Sequence, residues 1–142
     1  MADRALRALN RRVATLVILI AIGALARLTA LQTTPPGLHP DEAVNAYEAR
    51  RLAESLAADD QRPLPLTVSM HGGVSSTEAA YVWLAAPFSS LSLAPATAIR
   101  LPAALAGILL IPCAYWLAFL LGGSRSVALL VAALIAVEPF AV

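Results

Sequence analysis

The densest run of chemistry-bearing residues is His39-Pro40-Asp41-Glu42. Two adjacent carboxylates beside an imidazole can take up a proton, so this run offers a general base. The same pair has a plainer use. Proline favours the first position of a helix, and Asp41 and Glu42 would then meet the positive end of its dipole. Spacing alone does not separate the two readings. His39, two residues from Asp41, is a further candidate. Elsewhere the chemistry thins out. Asp59-Asp60 is a carboxylate pair with no further metal ligands nearby. His71 precedes Gly72-Gly73 in a flexible turn and reads more readily as an exposed loop histidine than as a base or phosphate contact. Those glycines lack the context of a phosphate-binding loop. No Ser-His-Asp or Cys-His arrangement stands out, and the single Cys113 lies in an apolar run, which leaves no disulfide framework or thiolate metal site.

The elements that must position these residues are unlike those of a soluble domain. Of 142 residues, 59% are hydrophobic and 13% charged, against roughly 45–50% and 25% in soluble domains. Mean hydropathy is +0.74. So apolar a chain is not disordered. All ten basic residues are Arg, they are scattered, and net charge is +1, which argues against a nucleic-acid partner. An all-α integral membrane protein, or part of one, is what remains.

Val13–Leu31 is a 19-residue apolar run, close to the about 20 residues that cross a bilayer. Arg4, Arg7, Arg11 and Arg12 precede it, so residues 1–12 should be cytoplasmic. Arg27, near the far end, can snorkel to the outer interface. A cleavable signal peptide is the rival reading, since Ala24-Leu25-Ala26 resembles a cleavage site. Residues 32–97 form the expected outer loop; Gln32–Glu78 holds seven of the nine acids. Helices are expected at about 40–57 and 78–93, both at the membrane surface. In the first, Ala46, Ala49, Ala53 and Leu56 share one face and Asp41, Asn45 and Glu48 another. Ala79–Leu93 is short and holds three serines and Pro87, which suits an interfacial segment better than a span. Residues 98–121 form a second span, 122–125 a cytoplasmic turn, and 126–142 a third span that stops short. Three crossings place the Arg125 turn inside, as the positive-inside rule prefers; four crossings, with Ala79–Leu93 spanning, are the rival.

Residues 35–43 read PPGLHPDEA, followed by VNAYEARRLAESL. This resembles the first outer loop of the GT-C membrane glycosyltransferases, and within them family 39, relatives of the protein O-mannosyltransferases and the lipid A aminoarabinose transferase. RPLPLTVSMHGGVSSTEAAYVWLAAPF resembles the family's stretch in which a Pro-Leu segment leads through a Gly turn to an acidic residue and a Tyr/Leu-rich helix. AIRLPAALAGILLIPCAYWLAFLLGG resembles its Arg-Leu-Pro helix and turn. In order, these blocks cover about residues 13–142.

The resemblance implies a glycosyltransferase that takes sugar from a polyprenyl-phosphate donor, with an acidic loop residue as base toward an acceptor hydroxyl and inversion at the sugar. It puts that role on Asp41, with Glu42 orienting Asp41 or the acceptor. Arg100 would meet the donor phosphate, for which an always-charged planar fork is suited. His39 and Glu78 would border the substrates; Glu78 matches an acidic residue of the family. Family members often carry a cation before the Tyr/Leu-rich helix, where this chain reads Ser75-Ser76-Thr77-Glu78. No cofactor is implied, and a divalent metal stays open. The implied partners are the lipid-linked donor, membrane lipid and other membrane subunits, in the inner membrane of the cell envelope. Family members continue through many more spans, so the chain reads as an N-terminal portion that would be inactive alone. A non-catalytic membrane subunit retaining this fold fragment is the reading from another class.

Overall fold

The computed structural model describes residues 2–29, 31–55, 66–70 and 75–138, with side chains for 10–29, 31–55, 66–67 and 79–138. Five helices follow in order: α1 (Ala2–Leu28), α2 (Pro40–Ser55), α3 (Ala80–Ser89), α4 (Pro95–Leu120) and α5 (Arg125–Val137). The chain is predominantly helical. The departure from an all-helical chain is a hairpin between α2 and α3, β1 (Thr67–Met70) against β2 (Ser75–Glu78), antiparallel with Thr67 opposite Glu78. Ser75–Glu78 is therefore extended, and the helix expected over 78–93 is ten residues long. At 1.5 Å per residue it spans about 15 Å, half a bilayer's hydrocarbon core. Asp59, Asp60 and His71 lie outside the described residues. Among the described helices, α4 alone is long and apolar enough to cross a membrane; α5 is apolar but shorter. In α1, Arg11 and Arg12 precede the apolar run and Arg27 interrupts it.

The chain forms two compact units, Met1–Thr29 with Ala103–Val142, and Ala30–Pro102. In the first, Ile111, Ala132 and Ala136 make a buried centre flanked by Leu16, Leu19, Ile20, Tyr115 and Ile135. Ala128, Ala132 and Ala136 are four residues apart and almost wholly buried. Small residues at that spacing let helix backbones approach closely, which drives helix association where lipid removes the hydrophobic contrast. Gly23 is the counterpart on α1. A Cβ there would collide with the Ile111 side chain and lie 3.5 Å from Ala136 Cα.

Arg27 was expected to snorkel but is 3% exposed. Its Nη2 donates to the carbonyls of Ile135 (2.7 Å) and Glu138 (3.3 Å), and its Nη1 to those of Ala136 (3.0 Å) and Gly23 (3.3 Å). The last carbonyls of a helix have no partner within it, so the end of α5 is a better destination than solvent. The C-terminal ends of α1 and α5 thus meet. At the opposite end, Arg12 and Arg125 share a cavity with Tyr115, Trp116 and Phe119 near the end of α4. So α1 and α5 run in one direction and α4 in the other. Ser124 starts α5, its Oγ accepting from the Val127 N–H at 3.3 Å.

In the second unit α2 and α3 pack through Ala49, Leu52, Val82, Ala85 and Ala86, with Ile99 at the centre. The alanine stripe expected to rest on the membrane is thus spent on α3. Glu48, expected on the polar face, is 3% exposed. Tyr81 donates its hydroxyl to the Ile99 carbonyl, tying α3 to the start of α4.

Candidate active site

Residues 31–39 carry Pro35 and Pro36 and form no helix or strand. Proline supplies no N–H, so Pro35 and Pro36 add carbonyls to this loop without adding donors. Arg100, on the first turns of α4, collects them. Its Nη1 donates to the carbonyls of Leu31 (2.9 Å) and Pro35 (3.1 Å), and its Nη2 to that of Gly37 (2.6 Å). Gly37 has φ +76°, a conformation that glycine adopts without strain. Arg100 also grips Glu42 with both prongs, Nε to Oε1 at 2.9 Å and Nη2 to Oε2 at 2.8 Å. A guanidinium has five N–H groups, and all five are used.

Glu42 has a second task. Its Oε2 accepts the His39 N–H at 3.0 Å. With Pro40 at the first helical position, Glu42 is the third helical residue and reaches back to cap the start of α2, one half of a capping box. The hydrogen bond from Arg100 holds the Glu42 carboxyl below its ordinary 4.5, against burial, which acts the other way; the His39 N–H adds to the lowering.

Asp41, the next residue back, is treated differently. Its side chain is 59% exposed, and its contact among the described residues is His39 Nδ1 at 3.8 Å. It stands at the amino end of α2 with its carboxylate open to solvent. The adjacent acids therefore divide: Glu42 is fixed by hydrogen bonds and Asp41 is exposed.

The structure thus brings His39, Asp41, Glu42 and Arg100 together. It alters the expectation for Arg100, which is 6% exposed and has no donor left for a phosphate. Glu78 ends β2 opposite Thr67; its side chain lies outside the described part. Among the described residues no three metal-ligating side chains converge. Sequence reasoning did not single out the burial of Asn45. It lies one turn beyond Asp41, and its Oδ1 is buried with no hydrogen-bond partner among the described residues. The shared helix face was the available signal.

Set beside known families, residues 15–142 match the model for dolichyl-phosphate-mannose-protein mannosyltransferases. No curated protein and no solved structure matches the chain.

Proposed function

Because this chain belongs to the dolichyl-phosphate-mannose-protein mannosyltransferase family, of the GT-C glycosyltransferases, we propose that it carries the base of an enzyme moving sugar from a polyprenyl-phosphate donor to an acceptor hydroxyl. The observation that carries this reading is the division of the carboxylate pair. A general base must reach the proton it removes, and Asp41 is the exposed member at a helix start, where negative charge is favoured. The acceptor O–H gives its proton to Asp41. The oxygen attacks the anomeric carbon opposite the phosphate, the carbon–phosphate oxygen bond breaks, and the configuration inverts. Polyprenyl phosphate leaves. Arg100 and Glu42 act by holding the loop that presents Asp41. His39, 3.8 Å from Asp41, and Glu78 belong to the substrate side of this reading.

Three crossings of the inner membrane by α1, α4 and α5 complete it. The support is directional. An odd number of crossings makes the first and last run the same way, as α1 and α5 do, and brings Arg12 and Arg125 to one end. By the positive-inside rule that end is cytoplasmic and the loop carrying Asp41 is outside. Arg27 does not oppose a crossing by α1, since carbonyls satisfy its charge within the bundle.

The test is Asp41→Asn in the full-length protein, which keeps size and hydrogen bonding and removes the base. Turnover should fall by about 10²–10⁴-fold with donor binding retained. Transfer at the unsubstituted rate would overturn the assignment.

A further inference from the structure

We propose that the end of the first unit carrying Arg12 and Arg125 binds the phosphate headgroup of an anionic phospholipid. The inference goes beyond the transfer reaction but rests on the membrane-crossing reading of α1, α4 and α5. A cavity of about 220 Å³ opens there, lined among others by Arg12, Leu16, Tyr115, Trp116, Phe119 and Arg125. Both guanidiniums are exposed, and the described ion pairs include neither. Arg125 lies 5.7 Å over the Phe119 ring. That contact sets the face of the guanidinium toward the ring and leaves the N–H groups at its edge available. Trp116 stands edge-on to Tyr115 and to Phe119, with ring centroids 6.3 and 6.4 Å away. The walls are thus aromatic and apolar, and among the described residues the charge that lines them is positive.

Those features select the occupant. Two arginines on different helices suit a phosphate diester, for which the planar fork is matched. Aromatic rings mark the level of headgroups in a bilayer, and basic pockets between helices on the cytoplasmic side recognise acidic headgroups. Trp116, in the cavity wall, is itself exposed, as are Leu120 and Leu121, which follow Phe119 in the chain; they offer acyl chains an apolar path that a soluble phosphate has no use for. The volume is below the roughly 300 Å³ at which small-molecule sites begin, so the cavity takes a headgroup and leaves the lipid tails outside.

The experiment uses the full-length protein with Trp116 as sole tryptophan, Trp83 and any tryptophan beyond residue 142 replaced by Phe, in nanodiscs of mixed phosphatidylglycerol and phosphatidylcholine. One lipid at a time carries brominated chains, and quenching of Trp116 reports its neighbours. Brominated phosphatidylglycerol should quench in preference to brominated phosphatidylcholine. Arg12→Gln and Arg125→Gln should each reduce that preference by about 5-fold, the equivalent of about 1 kcal/mol per basic residue near an anionic surface. Arg125→Lys, which keeps the charge but not the fork, should lose less than Arg125→Gln, and Asp41→Asn should keep all of it, which separates this site from the catalytic reading. Equal quenching by the two lipids, or a preference unmoved in both glutamine variants, would overturn the proposal alone. Loss of the preference in excess inorganic phosphate would reassign the cavity to a soluble anion and overturn it too. No quenching by either lipid would overturn it together with the membrane placement of α4.

Discussion

Among the described residues each unit buries one arginine, Arg27 in the first and Arg100 in the second. Both donate to backbone carbonyls, yet they do different work. Arg27 gathers carbonyls from one helix end, where acceptors cluster because the helix has run out. Arg100 gathers carbonyls scattered along a proline-rich loop and adds a two-pronged grip on Glu42. A cluster of acceptors asks for positive charge and little geometry. A scattered set with a carboxylate asks for a planar fork. Arg100 is therefore a specified part of the candidate site, and Arg27 a fastening that tolerates a substitute.

The largest test of this contrast is Arg100→Ala. It leaves Glu42 half-buried without its partner and three carbonyls unmet, and should destabilise the protein by about 3–5 kcal/mol. Amide exchange over residues 31–42 should rise with it; unchanged exchange there would break the view of Arg100 as the strut of the loop. Arg100→Lys keeps the charge but not the fork, and should still lose about 1.5–3 kcal/mol, the value of a charge-assisted hydrogen bond. Acid separates the units next. Because Arg100 lowers the Glu42 pKa in the fold, the stabilisation is full above the ordinary 4.5. It is lost as pH falls below that value and through the lower one of the folded state. Exchange over residues 31–42 should climb in that window, and Glu42→Gln should abolish the pH dependence; a transition in residues 13–28 at the same pH would contradict the contrast. The smallest effect belongs to Arg27→Lys, which should change thermal stability by no more than about 1 kcal/mol, since an ammonium can still meet a cluster of carbonyls. Equal losses from the two lysine substitutions would erase the distinction.

The helix start at Pro40 was legible because its causes are local: proline, two acids in the first turn, then a run free of Gly and Pro. The alanine stripe was legible as a buried face, but not what buries it, since Val82, Ala85 and Ala86 lie some 30 residues on. Candidate residues 39, 41 and 42 came from one run of four residues for the same reason. Arg100 was visible as a cation near the site, but its partners sit 58–69 positions earlier in the chain, and no spacing rule connects them. Its assignment to a phosphate assumed free donors that the loop has taken. The hairpin left no usable pattern, because Thr67–Met70 and Ser75–Glu78 are four residues each. Snorkelling was the wrong default for Arg27 because the end of another helix lay nearer than solvent.

The seam of Ala128, Ala132 and Ala136 against Gly23 repeats itself every four residues. Shape alone would accept α5 displaced along α1 by one repeat, about 6 Å, with another alanine of the series brought to Gly23. Such a ruler has marks but no zero. Arg27 supplies the zero, because three of its acceptors, at residues 135, 136 and 138, lie at the terminus of α5 and recur nowhere along its length. Slipped by a repeat, the guanidinium would face a helix interior whose carbonyls are already taken. A buried polar group can fix register even where it adds little stability. The division of labour here is of that kind: small residues allow the approach of the two helices, and one charge decides where along each other they stop.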